Sequence, residues 1–169
     1  HLGATVDIHG GGEDLAFPHH ECEIAQAEGY TGRQPFARYW LHTAMVSYLG
    51  EKMSKSLGNL DMVSQLLNDY TPDALRLYLA SHHYREPWAY DPQALQRIAV
   101  MAARWQQAAR VAAGPARALA SEGTQAQFRA AMDDDLRTPE AIDTLDRLAH
   151  AILAASRKGE HVADAQATL

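Results

Sequence analysis

His19, Cys22 and Glu23 stand three and four residues apart in a stretch of helical character, so an imidazole, a thiol and a carboxylate fall near one face. All three are zinc-ligand types, and His19 with either neighbour supplies two, or with both three, corners of a tetrahedral site; spacing alone does not choose between Cys22 and Glu23. The stretch is not HExxH, because the residue four after His20 is Ile24. A polar helix face with hydrogen-bonded histidines would use the same residue types. Just upstream, Gly10, Gly11 and Gly12 follow a β-prone run at 4–8. Such glycines let backbone approach a ligand closely or take positive φ, and Asp14 beyond them is placed to accept hydrogen bonds from sugar hydroxyls. The run is not GxGxxG, and a tight strand-to-helix turn would need glycine equally. The third group is Lys52-Met53-Ser54-Lys55-Ser56, followed by Gly58. Two ammonium groups and two hydroxyls beside a glycine hinge make an anion clamp suited to polyphosphate.

These residues need elements to hold them. The run at 4–8, the glycines and a helix expected from His19 to about Glu28 give the strand, turn, helix rhythm of an α/β layer. Residues 39–48 read as a second strand, and 51–59 as a polar loop. From Leu60 onward the pattern is helical. Thr71-Pro72-Asp73, Asp91-Pro92 and Thr138-Pro139-Glu140 each put a capping side chain before a proline suited to the first helical turn, predicting helices that begin near 72, 92 and 139. Their apolar faces are Leu75, Tyr78, Leu79; Leu95, Ile98, Ala102, Trp105, Ala109; and Ile142, Leu145, Ala149, Ile152. A short helix is expected over 62–67, and Gly114-Pro115 with Ser121-Glu122-Gly123 bracket a boundary. Two strands cannot make a self-sufficient parallel sheet, so the first fifty residues are expected to be the end of an α/β domain.

Composition narrows the classes. The 169 residues carry 15 Lys+Arg against 21 Asp+Glu, a net charge of −6, which argues against a generally basic nucleic-acid binder. A single Cys excludes a disulfide framework and fits a reducing cytosol. No apolar run approaches the roughly 18 residues of a membrane span, and the 47% apolar share is globular. The first residue is His1, with neither initiator Met nor signal peptide, and the chain is expected to be a piece of a longer one.

In order along the chain, Lys52-Met53-Ser54-Lys55-Ser56 resembles the KMSKS signature of class I aminoacyl-tRNA synthetases. The block from Asp7 through His9-Gly10-Gly11-Gly12-Glu13-Asp14 and Phe17-Pro18-His19-His20-Glu21-Cys22-Glu23 to Gln26 is similar to the cysteinyl-tRNA synthetase version of the preceding segment. Met132-Asp133-Asp134-Asp135-Leu136-Arg137-Thr138-Pro139 is similar to the start of that family's following helical domain. The resemblance implies the last strands and helix of a Rossmann-type catalytic domain over 1–50, the KMSKS loop with a stem-contact helical region over 51–118, and the start of a DALR-like tRNA-binding domain over 119–169. By residue count such a chain is predominantly α.

The implied chemistry is the reaction of cysteine with ATP, as its Mg2+ complex, to cysteinyl-adenylate, followed by transfer to tRNA(Cys), by a cytoplasmic monomer. Activation is in-line displacement at the α-phosphorus by the amino acid's own carboxylate, so positioning and charge stabilisation carry it. By resemblance Lys55, supported by Lys52, neutralises the departing pyrophosphate; Gly10, Gly11, Gly12 and Asp14 hold the adenosine part; His9 lies in the cysteine pocket. The family's Zn2+ takes the substrate thiolate, which rejects serine. Its ligands match His19 and Glu23 here, which resolves the choice against Cys22. The family's two cysteine ligands and its His-Ile-Gly-His motif belong to an N-terminal part that this sequence does not contain.

Between Pro92 and Arg117 there is no acidic residue, while Arg97, Arg104, Arg110 and Arg117 recur every six or seven positions. Arg97 and Arg104 are expected on a basic outer edge that could meet tRNA backbone. Two other readings share the motifs: the ligase of mycothiol synthesis, which joins cysteine to a glucosaminyl inositol through the same adenylate, and a noncatalytic RNA-binding remnant.

With two of four metal ligands and no ATP-holding His-Ile-Gly-His motif, the purified 169-residue chain is expected to show no cysteine-dependent exchange of pyrophosphate into ATP. Exchange above the cysteine-free blank in a radiolabelled pyrophosphate assay refutes this.

Overall fold

The computed structural model describes residues 3–48, 51–52 and 62–169, the pair 51–52 by backbone alone. They form a mixed α/β portion followed by a helical one, in two compact units. The first unit holds all five described strands and one helix, and the second holds the remaining helices. No helix among the described residues is long and apolar enough to cross a membrane.

The first unit opens with β1 (Val6–Gly12), a 3-10 turn (Glu13–Leu15), a π-helical turn (Ala16–His20), helix α1 (Glu21–Thr31) and β2 (Ala37–Thr43). β1 and β2 pair in parallel, with His9 opposite Trp40 and Gly11 opposite His42. A parallel pair needs a crossover, and α1 supplies it. Gly32, at φ 65°, ends α1 by donating its N–H to the Glu28 carbonyl over 2.8 Å, and the Glu28 side chain accepts from Phe36 N at 3.0 Å on the way to β2. Alternation then sorts the sheet: His9, Gly11, Trp40 and His42 share one face, while Ile8, Tyr39 and Leu41 lie exposed on the other.

Three expectations fail in this unit. The glycines do not turn the chain: Gly10, Gly11 and Gly12 are the last residues of β1, and none has positive φ. They pair with Leu41, His42 and Thr43, so the ladder overrides their turn propensity. The single strand expected over 39–48 is two. It breaks at Ala44-Met45, after which β3 (Val46–Tyr48) joins another sheet, antiparallel to β4 (Glu51–Lys52) and parallel to β5 (Trp88–Ala89). The first fifty residues thus hold three strands rather than two, and β5 returns from far along the chain, beyond any local signal.

The second unit contains α2 (Val63–Leu66), α3 (Pro72–Ala80), α4 (Pro92–Arg110), α5 (Glu122–Asp133), α6 (Thr138–Arg157) and α7 (Ala163–Gln166). Two of the expected caps are as read: Thr71 Oγ1 accepts from Ala74 N at 3.2 Å and Asp91 Oδ1 from Gln93 N at 2.8 Å. The third is not. Arg137 occupies the cap position, and Thr138, already helical, points its hydroxyl at the His82 carbonyl 3.5 Å away. Asp135 and Leu136 before it both take φ 54°, an abrupt entry that leaves Thr138 no capping geometry. The core joins Ala108 of α4, Leu148, Ala149, Ile152 and Ala155 of α6, and Val162 and Ala165 near α7. Leu79 is exposed rather than core, and Ala108 replaces the expected Ala109.

Arg104 corrects the expected basic edge. It is only 24% exposed and grips Asp146 of α6, with Nη2 at 2.8 and 3.0 Å and Nε at 3.1 Å. Trp105 Nε1 donates to the same carboxylate at 2.9 Å. Arg97 alone matches the outward position, exposed and 3.4 Å from Asp91. Asp146→Ala strands a guanidinium and an indole N–H together, so it is expected to lower unfolding stability by about 2–3 kcal/mol. Arg97→Ala should stay within about 0.5 kcal/mol. Urea unfolding of both variants checks this; equal effects refute it.

Candidate functional site

The parallel pair and its helix bring the site residues together. His9 projects from β1, the π turn carries His19 and His20, and Glu23 stands in the first turn of α1, where a carboxylate also suits the positive end of the helix. His9 Nε2 and Glu23 Oε2 are 2.8 Å apart. The other carboxylate oxygen, Oε1, lies 3.8 Å from His19 Nε2, and His20 Nε2 is 3.9 Å from Oε2. His9, His20 and Glu23 each offer a ligand atom within 4.8 Å of the others. His19, 60% exposed, presents its ring at the open side of this group.

Two further residues complete the setting. His20 is the buried member, 3% exposed, and its Nδ1 lies 2.8 Å from His42 Nε2 on β2. Trp40 stacks parallel to His42 at 6.1 Å and meets His9 edge-on at 4.9 Å, while Phe36 closes on His9 at 5.4 Å. Burial, then the neighbouring imidazoles of His42 and His9, hold the His20 pKa below the ordinary histidine value, so His20 is neutral at pH 7 and one member of the His20–His42 pair donates to the other. The hydrogen bond from His9 holds the Glu23 carboxyl below the ordinary carboxylate range. The site is therefore one anionic carboxylate among imidazoles, a donor set of nitrogen and oxygen that fits zinc.

Gly11 makes the packing possible. A Cβ there would lie 2.9 Å from Leu15 Cδ1 and 3.1 Å from His20 Cε1, so the absence of a side chain is what lets the buried imidazole sit against the strand. Gly10 admits the Leu41 carbonyl in the same way, with a Cβ-to-oxygen distance of 2.8 Å.

The structure joins three of the residues singled out from sequence, His9, His19 and Glu23, and leaves Cys22 exposed outside the group. Gly10, Gly11 and Gly12 lie in β1, and Asp14 sits exposed in the 3-10 turn. Lys52 is in β4 and is described by its backbone; Lys55 lies outside the described residues. Sequence reasoning missed His20, His42, Trp40 and Phe36 as one surround. The usable signal was the parallel register that sets Trp40 and His42 across from His9 and Gly11.

Residues 1–100 match the family described as tRNA synthetases class I (C) catalytic domain, and 127–169 match the DALR domain. The L-cysteine:1D-myo-inositol 2-amino-2-deoxy-alpha-D-glucopyranoside ligase of Parafrankia sp. (strain EAN1pec) is 46% identical over 168 residues, 99% of this chain and 37% of the relative. The cysteine–tRNA ligase of Legionella pneumophila (strain Corby) is 45% identical over 152 residues, 89% of this chain and 33% of the relative. The chain thus spans about a third of these relatives' length. Among solved structures, the LeuRS–tRNA–LeuAMS ternary complex of Agrobacterium radiobacter K84 superposes with a TM-score of 0.69 at 16% identity, over 98% of this chain and 24% of that one, a likeness of fold.

Gly11→Ala is expected to destabilise the chain by about 1–3 kcal/mol through forced displacement of His20 and Leu15. Thermal unfolding with histidine NMR checks it. A variant with unchanged midpoint and unshifted His20 resonances overturns this role for Gly11.

Proposed function

The chain belongs to the family of class I (C) tRNA synthetase catalytic domains, and from that membership we propose that it carries part of a ligase that activates cysteine with ATP and transfers the cysteinyl group to tRNA. The observation that supports this reading best is the His9–Glu23 pair with His19 beside it, a carboxylate and imidazoles gathered on the helix-covered face of a parallel βαβ unit. Ligands of α/β sheets meet the protein near the carboxyl ends of parallel strands, and His42 stands near that end of β2, with His9 at the middle of β1.

In this reading β1, α1 and β2 are the later part of a Rossmann-type catalytic domain within 1–50. Residues 51–118 carry the KMSKS loop and stem-contact helices, and 119–169 begin the DALR-type tRNA-binding domain. The cysteine carboxylate attacks the α-phosphorus of ATP and pyrophosphate leaves, so the protein supplies no nucleophile. Lys55 and Lys52 stabilise the leaving pyrophosphate as flexible point charges, with Mg2+ accompanying ATP. Gly10, Gly11, Gly12 and Asp14 hold the adenosine part, and His9 lines the cysteine pocket. His19 and Glu23 are the residues that would hold a zinc ion. When bound, zinc supplies a soft Lewis acid that prefers a thiolate to a hydroxyl, discriminating cysteine from serine by binding alone.

A second reading has its own support. The Parafrankia relative, named for an amino-sugar acceptor, aligns over 99% of this chain, including the part that matches the DALR domain. Neither matched region therefore selects the acceptor. The decisive experiment takes the full open reading frame containing these residues and offers tRNA(Cys) and the glucosaminyl inositol separately, with cysteine and ATP. Cysteinylation of tRNA is expected. Ligation to the amino sugar with no tRNA charging overturns the first reading for the second. Lys55→Ala in the same protein is expected to slow adenylate formation about 100-fold or more.

A further inference from the structure

The two oxygens of the Glu23 carboxylate have different neighbours. Oε2 lies 2.8 Å from His9 Nε2, and Oε1 faces His19 Nε2 at 3.8 Å. A carboxylate with one oxygen occupied by an internal donor offers the other in a fixed direction. The donor itself is fixed: His9 sits in the middle of β1, 27% exposed, with Trp40 edge-on at 4.9 Å, Phe36 at 5.4 Å and His20 at 5.0 Å around its ring. Its partner is on another element, fourteen residues later, so the bond sets the rotation of the first turn of α1 against the strand. We propose that His9 is a positioning residue for Glu23: its Nε2–H holds Oε2 and thereby aims Oε1, together with His19, at a bound divalent cation. This rests on reading His19 and Glu23 as cation ligands. Its physical basis is the outer-shell rule, in which ligating carboxylates are held by hydrogen bonds whose loss costs about 10- to 100-fold in metal affinity.

The test is a Co2+ titration of the protein encoded by the full open reading frame containing these residues, followed through the visible d–d absorption, with circular dichroism confirming that each variant is folded. His9→Phe keeps an aromatic ring among Trp40 and Phe36 but removes the donor; His9→Gln restores an N–H near the position of Nε2. The expected result is about 10- to 100-fold weaker Co2+ binding by His9→Phe, recovery to within about threefold by His9→Gln, and unchanged band positions throughout. Wild-type affinity in His9→Phe overturns the proposal. Equal weakening in both variants with altered bands also overturns it, because His9 is then itself a ligand. Glu23→Gln with wild-type affinity and spectrum overturns the underlying site reading, an outcome the His9 variants do not produce. If His9→Phe does not fold, nitrogen NMR of the wild-type chain with Zn2+ decides: His9 Nε2 retains its proton when it positions Glu23 and loses it when it ligates.

Discussion

One hydrogen bond, His9 to Glu23 at 2.8 Å, ties together the parts of the first unit that carry chemistry. Parallel strands cannot be joined by a short hairpin, so whatever sits beside β1 must come from the crossover, and its placement depends on how the crossover helix begins. Here the beginning is irregular, with a 3-10 turn and a π turn before α1. From His19 onward the spacing is helical: His19 and His20 stand four and three residues before Glu23, so both rings fall on the side of its carboxylate. Side chains tie this start to the strands, through His9 to Glu23 and His42 to His20.

Glycine enters the same constraint from the strand side. Three glycines at the end of β1 weaken a strand by propensity, yet each pairs with β2. What they provide is clearance. Gly11 admits the His20 ring, and Gly10 admits the Leu41 carbonyl. Burial and then the neighbouring imidazoles hold the His20 pKa below the ordinary histidine value, which favours its neutral form in the space that Gly11 clears. The second unit uses a comparable device in an apolar setting, where Asp146 receives both Arg104 and Trp105 from α4 and fixes that helix against α6.

Local chemistry was legible from the sequence, and pairing was not. Proline after a capping side chain located the starts of α3 and α4, because that signal acts within one turn. The same pattern failed at Thr138, where Asp135 and Leu136 adopt positive φ and move the cap to Arg137, a conformation their residue types do not announce. Helical periodicity placed Arg104 opposite the apolar stripe of α4. It could not see that α6 brings a carboxylate to that side and turns an apparent solvent edge into an interhelical tie. At the site, spacing brought His19 and Glu23 to one face but left Cys22 open. His42 and Trp40 became visible only with the register of β1 against β2, a relation between residues thirty-one apart.

Glu23 therefore answers to two demands, and the residues around it do not. As an acid in the first turn it suits the helix start, and as the acceptor from His9 it fastens helix to strand, so its carboxylate is part of the fold as well as of the donor set. His19 has no such duty to the strand: it is 60% exposed, and its closest ionic neighbour is Glu23 itself at 3.8 Å. This separates structure from chemistry within one turn of chain. Loss of the Glu23 carboxylate disturbs both at once, whereas changes at His19 act on the open side of the group and leave the strand–helix tie in place. Cation affinity that depends on His19 while stability does not is the pattern a binding role imposes, and a merely solvated helix face has no physical reason to produce it.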